Sequence, residues 1–234
     1  MTSNDVLGLI LSYVYAFGLL LTVEAVGKRL HWPQYLTRKI VHIGAGMWIW
    51  GIAGIFDTWI YGLIPFATFI LLNYLFYRYQ IFKAMDATDS SPGTIYFAIS
   101  ITTLFALLWR TDGSIDRLPI AAAAVMAMTW GDGVASIIGQ SIGRHDYHVF
   151  GHRRSWEGTF AMAVLSVTVI FLTLWLLPDS DWSPNSPDMT LSAALLAALI
   201  GGSAATAAEA LSPAGIDNLT VPLLTGAILY FLVR

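Results

Sequence analysis

LPIAAAAVMAMTWGDGVASIIGQSIGRHDYHVFGHRRSWEG, residues 118–158, is the stretch on which the fold class turns. Its first part, Leu118–Ile142, is apolar over the length that a membrane-spanning helix needs, about 20 residues. Asp132 nevertheless sits well inside it, followed by Gly139 and Gly143 four residues apart. Its second part reads as a polar loop holding His145, Asp146, His148, His152, Arg153, Arg154 and Glu157. Nowhere else does the chain gather so many ionisable groups beside an apolar segment. Such a stretch reads as a phosphate and metal site at a membrane surface.

Working outward, seven more segments have the apolar character of a span: about Val6–Val26, Ile40–Ile55, Thr58–Tyr77, Thr94–Trp109, Thr159–Leu177, Thr190–Ala210 and Leu219–Val233. Those beginning at Ile40, Thr94 and Leu219 are short, and the last also reads as re-entrant. The expectation is an all-α polytopic membrane protein with 7–8 transmembrane helices and one integral membrane domain over residues 1–234. Composition agrees. The chain is 56% hydrophobic and 12% charged, where a soluble domain carries about 25% charged residues, and its mean hydropathy is +0.66. A net charge of −3 offers no basic field for nucleic acid. With no cysteine, disulfides, thiolate metal sites and a cysteine nucleophile are excluded. The N-terminus has no basic region and no small-residue cleavage site, so it reads as a retained first span.

Basic residues set the expected orientation. Alternate loops put Lys28, Arg29, Arg38, Lys39, Arg78, Lys83, Arg144, Arg153 and Arg154 on one side and Arg110, Arg117 and Arg234 on the other. The richer side is expected to be cytoplasmic, with the N-terminus outside. This topology collects TRKIVH (37–42), SSPGTIYF (90–97), residues 131–158 and EALSPAGIDNLTVP (209–222) on that same face.

Several residues there suit chemistry. An intramembrane carboxylate such as Asp132 costs at least about 2.5 kcal/mol, so it should face a cavity or a partner. Asp132, Ser136 and Gln140 share a helix face, and the glycines let a backbone or a phosphate approach. The plainer reading is a packing stripe with one buried ion pair. Arg153 and Arg154 with Ser155 and Glu157 suit a triphosphate with Mg²⁺, or the arginines are membrane anchors. His145, His148 and His152 lack the helical spacing of a zinc pair. Arg38 and Lys39 read as snorkelling anchors or phosphate ligands; His42, within the apolar run, is harder to explain as an anchor. Glu209, and Asp217 with Asn218, flank a Ser-Pro and Ala-Gly break, the kind tolerated at membrane depth only around a cavity. Asp217 and Asn218 also suit a helix cap. Ser91-Pro92-Gly93-Thr94 reads as a helix start or a phosphate loop, Asn73 as a helix–helix hydrogen bond, and the tryptophans as an interfacial belt.

GDGVASIIGQSIGRH…RRSWEGTFAM resembles the CTP-binding signature of the polyprenol kinase family, which includes dolichol kinases, phytol kinases and CTP-dependent diacylglycerol kinases. The matching residues are Asp132, Ala135, Gly139, Gly143, Arg153, Arg154, Ser155, Glu157 and Gly158. RKIVHIGAG (38–46) and Glu209…DNLTVP resemble the family's other blocks, so the likeness runs from Arg38 to Pro222. The departure is arginine at both basic positions, where lysine is common. Phosphatidate cytidylyltransferases share an SPKKTWEG-like segment but end in PGHGG-x-x-D-R-x-x-x-D; here Ile216-Asp217-Asn218-Leu219 stands instead.

The resemblance implies transfer of the γ-phosphoryl group of CTP, with Mg²⁺, to a membrane isoprenoid alcohol, phytol or a related polyprenol. Asp132, Glu157 and Glu209 would bind the metal. Lys39, Gly139, Gly143, Arg144, Arg153, Arg154, Ser155, Glu157 and Asn218 would bind the nucleotide. Asp132, His42 and Asp217 would be catalytic, His42 or Asp217 taking the alcohol proton. The alternatives are a CTP:phosphatidate cytidylyltransferase, a diacylglycerol kinase, an ion- or proton-coupled transporter, for which no internal repeat is visible, and a non-catalytic lipid-binding relative.

Overall fold

The computed structural model describes residues 1–81, 92–113, 115–149, 152–213 and 215–233. Lys83, Ser90, Ser91 and Arg234, used above for topology or as candidates, lie outside them.

The described residues form a helical bundle, and its order follows the apolar runs. Helix α1 (Ser3–Arg29) starts earlier than its apolar run because Thr2 and Asp5 build a capping box: the Asp5 amide donates to Thr2 Oγ1 and the Thr2 amide to Asp5 Oδ2. Helix α2 (Gln34–Ile55) likewise starts well before Ile40. Pro33 opens it, and Arg38, Lys39 and His42 are interior helical residues. Helices α3 (Trp59–Tyr79) and α4 (Gly93–Leu108) follow and pack on each other. The Asn73 side chain donates to the Thr94 carbonyl at 3.0 Å, the helix–helix bond that the sequence predicts.

The fifth span is built from three pieces: α5 (Leu118–Met126), a π-helical segment (Ala127–Asp132) and α6 (Gly133–Ser141). Residues 118–129 are all buried, which makes this rod the axis of the bundle. Its alanine run lets α4, α7 and α9 approach closely.

The expected polar loop after α6 is instead a pair of antiparallel strands, β1 (Asp146–Val149) and β2 (His152–Ser155), with Tyr147 opposite Arg154 and His148 opposite Arg153. Glu157, expected in that loop, lies in the first turn of α7 (Trp156–Leu176). Helices α8 (Leu191–Leu211) and α9 (Asp217–Leu232) complete the chain. A Cβ added at Gly202 would meet the Val167 backbone nitrogen at 2.9 Å, so this glycine sets the close α7–α8 approach.

Five of these rods are long and apolar enough to cross a membrane: Ser3–Arg29, Trp59–Tyr79, Leu118–Ser141, Trp156–Leu176 and Leu191–Leu211. Gly93–Leu108 and Asp217–Leu232 are shorter apolar helices. The protein is therefore an all-α polytopic membrane protein, with only the small hairpin, among the described residues, outside that description.

Polar networks gather at the two ends. At one end Asp5 binds Thr58, and Asp116 accepts from the Arg110 and Leu118 amides and from Ser183. At the other end lie Lys39, Asp132, Arg154, Glu209 and Asp217. One tryptophan departs from the expected interfacial belt. Trp109 is 1% exposed, packed where a Cβ on Gly62 would collide with its ring.

Candidate functional site

The π segment places the central carboxylate. Its wider turn ends at Asp132, which is 3% exposed and faces α2. Lys39 Nζ donates to Asp132 Oδ2 at 2.7 Å, and His42 Nε2 stands 3.6 Å from the same oxygen. His42 Nε2 also lies 3.3 Å from the Met128 carbonyl, one turn back in the π segment. With a proton on Nε2, His42 donates to that carbonyl, and its ring also packs edge-on against Phe97.

The hairpin makes Arg153 and Arg154 unequal. Successive strand residues point to opposite faces. The Arg153 side chain is 68% exposed and pairs with Asp146 at 2.7 Å, while that of Arg154 is 20% exposed and turns into the bundle. Its Nη1 binds Glu209 Oε1, and its Nη2 donates to the Glu209 and Ser212 carbonyls, both at 3.1 Å. Asp217 Oδ2 is 3.6 Å from Nη2. One planar guanidinium thus ties β2 to the break between α8 and α9, a geometry a lysine ammonium does not offer.

Asp217 does not act as a helix cap. The cap position of α9 is Ile216, without a side-chain hydrogen bond, and Asp217 Oδ1 accepts from the Asn218 amide and side chain. Asn218 Oδ1 is buried without a hydrogen-bond partner.

Two cavities meet here. The first, about 340 Å³, runs between α1, α2, α3 and α4; its apolar wall includes Leu20, Val41, Phe69 and Phe97, and Lys39, His42, Asp132, Asp217 and Asn218 close its polar end. The second, about 480 Å³, is lined by α6, the hairpin and the start of α7, including Gly139, Gly143, Arg153, Ser155, Thr159 and Glu209. Tyr35, Ser136, Gln140 and Arg154 border both. The face shared by Asp132, Ser136 and Gln140 thus faces a cavity.

The glycines serve the second cavity's wall. A Cβ on Gly158 would meet the Ala135 carbonyl at 2.9 Å and one on Gly139 would meet Ser155 Oγ at 2.9 Å, so α6 and α7 touch nearly backbone to backbone. Ser155 Oγ caps α7 by accepting from the Gly158 amide at 3.1 Å, and its own hydrogen remains free to donate.

Of the residues singled out in the sequence, Lys39, His42, Asp132, Arg154, Glu209, Asp217 and Asn218 come together at the junction. Arg144 and Glu157 border neither cavity. Glu157 Oε1 is bound to His145 Nδ1 at 2.7 Å, and this carboxylate lines neither the cavity that Asp132 borders nor the one that Glu209 borders. Among the described residues no three His, Asp or Glu side chains converge as a metal-ligand group, the histidines of the hairpin included. Sequence reasoning missed Tyr35, although it precedes Lys39 by one helical turn on the same face.

The chain is 35% identical over 232 residues to a phytol kinase of Synechocystis sp., covering 91% of this chain and 86% of that protein. The chain belongs to the polyprenol kinase family. Two plant relatives extend the match. A probable phytol kinase 3 of Glycine max is 27% identical, over 94% of this chain and 70% of its own. The chloroplastic farnesol kinase of Arabidopsis thaliana is 26% identical, over 98% and 76%. No family model matches, and no solved structure is significantly similar. Within this polyprenol kinase chain, the ionic cluster between the cavities lies inside the region that resembles the family, Arg38 to Pro222, while both cavities also take lining from residues that precede it.

Proposed function

We propose that the protein is a CTP-dependent kinase that transfers the γ-phosphoryl group to the hydroxyl of an isoprenoid alcohol, phytol or a related polyprenol, at the cytoplasmic face of a membrane. The observation that carries this reading is the meeting of two unlike cavities at one ionic cluster. An apolar slot suits a prenyl chain, and a polar chamber ringed by glycines and arginines suits a nucleotide's phosphates. Relatives named phytol kinase and farnesol kinase support the acceptor class.

Phosphoryl transfer needs mainly positioning and charge neutralisation. The alcohol oxygen attacks the γ-phosphorus, the bond from that phosphorus to the β–γ bridging oxygen breaks, CDP leaves, and the alcohol proton passes to the protein. Arg154, fixed by Glu209 and two carbonyls, holds phosphate at the boundary of the cavities. Arg153, Ser155 and the second cavity's glycine wall hold the rest of the phosphate chain, and Lys39 neutralises charge on the acceptor side. Asp217 takes the alcohol proton. His42, with its Nε2 near the Met128 carbonyl and 3.6 Å from Asp132, shapes the wall beside that carboxylate and is not assigned the proton.

Mg²⁺ fits the junction. Three carboxylates there, Asp132, Glu209 and Asp217, face two cations, Lys39 and Arg154, and Asn218 Oδ1 lacks a partner. Mg²⁺ is usually held by one or two carboxylates plus substrate phosphates, so a full protein cage is not needed. Asp132 and Glu209 would hold it, and it would neutralise charge on the transferring group. Glu157, engaged by His145, fits that role less well.

The test is purified protein in detergent with phytol, farnesol, diacylglycerol or phosphatidate, Mg²⁺, and each nucleotide labelled at the γ-phosphate or, in parallel, at the α-phosphate. Label moving from CTP to an isoprenoid alcohol is expected. CMP-lipid formed from phosphatidate, or ion flux in liposomes without lipid phosphorylation, would overturn the reading. Asp217→Asn should lower kcat by about 100-fold or more if it is the base, with KM for CTP little changed.

A further inference from the structure

We propose that Trp48, stacked on Tyr15, is the stop that sets how much of the acceptor's chain the protein encloses, and so its preference among isoprenoid alcohols of different length. This inference rests on the acceptor reading above and deepens it.

The depth of the apolar slot can be read from its walls. On α1 the lining runs from Ser12 to Leu20, on α3 from Pro65 to Asn73, and on α4 from Gly93 to Ile101. Each interval is eight residues, or about 12 Å of helix. Successive helices run in opposite directions, so Ser12, Trp48, Pro65 and Ile101 all mark the end away from the ionic cluster. The four helices therefore agree on where the slot stops.

At that end stands a braced aromatic pair. The Tyr15 and Trp48 rings stack at 4.3 Å with 17° between planes. Trp48 Nε1 donates to Ser12 Oγ at 3.0 Å, and Tyr15 OH donates to the Gly44 carbonyl at 2.8 Å. Gly51 lies against the indole, where a Cβ would come within 2.8 Å of the ring. Neither ring can swing aside without breaking a hydrogen bond in an apolar setting. A chain longer than the slot must fold back or leave between helices, losing the contacts that its last isoprene unit would have made.

The experiment compares kcat/KM for farnesol and geranylgeraniol, which differ by one isoprene unit, using the full-length protein in detergent. The wild-type ratio for the two alcohols is the reference. Trp48→Ala should move the ratio toward geranylgeraniol on the order of tenfold, the scale on which apolar pockets discriminate a change in chain length. Trp48→Phe, which keeps a ring in place, should leave the ratio near wild type. Trp48→Leu and Tyr15→Leu are milder openings, expected to move the ratio the same way, and they decide the matter should Trp48→Ala fail to fold. An unmoved ratio in any opened variant that still phosphorylates one of the alcohols overturns this inference and leaves the proposed function standing. A wild type that phosphorylates no alcohol overturns the proposed function itself, and the length stop with it.

Discussion

Replacing Lys39 with methionine removes the ammonium 2.7 Å from a carboxylate that is 3% exposed. At that distance and an effective dielectric of about 20, the attraction lost is roughly 6 kcal/mol. Part of it offsets the cost of burying both groups, so the net loss on removing one partner should be about 3–5 kcal/mol. His42 compensates little, because its Nε2 is 3.6 Å from Asp132 and already near the Met128 carbonyl. The double variant Lys39→Met/Asp132→Asn carries no unpaired charge at this position and should recover most of that stability. It should not recover activity. Denaturant titration in mixed micelles gives the stabilities of the wild type, the two single variants and the double variant, and γ-labelled CTP with farnesol gives the activities. A cost for Lys39→Met below about 1 kcal/mol, the range of an exposed ion pair, would refute the buried-pair reasoning. So would a double variant no more stable than Lys39→Met.

Three more outcomes are expected. Arg154→Lys keeps the charge but loses the fork that reaches Glu209 and two carbonyls; with charged hydrogen bonds worth about 1.5–3 kcal/mol each, kcat/KM should fall roughly 10- to 100-fold or more. Gly158→Ala pushes a methyl to 2.9 Å from the Ala135 carbonyl, and the overpacking should cost about 1–3 kcal/mol in the same titration. At the opposite end of the bundle, burial raises the Asp116 carboxyl above the ordinary aspartate value, although Ser183 and backbone amides pull it down. A raised folded-state pKa means stability present at low pH that is lost as pH rises through that value. Asp116→Asn should flatten this slope of unfolding free energy against pH.

The apolar rods were legible because a membrane span requires one long run, and their buried ends were less so. Helix α2 begins before Ile40 because Arg38 and Lys39 are helical residues whose charges find Asp132 or the mouth of a cavity, and hydropathy counts such residues as loop. The π segment left no trace in composition, since its effect is a matter of hydrogen-bond register; such segments occur often at functional sites. The site carboxylates stood out because each is an exception in an apolar chain. Arg153 and Arg154 did not separate, because their difference is created by the strand that alternates them. Asn73 was read correctly because an amide within an apolar helix has few partners besides a neighbouring helix.

Arg154 borders both cavities and is fastened to the break between α8 and α9. An anion arriving in the polar chamber would compete with Glu209 for that guanidinium, and any shift of the fork would change the wall of the first cavity. In the proposed reaction the two substrates would therefore meet one shared residue whose position each of them biases. By reciprocity, whatever factor a bound nucleotide would apply to the affinity for the alcohol, the alcohol would apply to the affinity for the nucleotide.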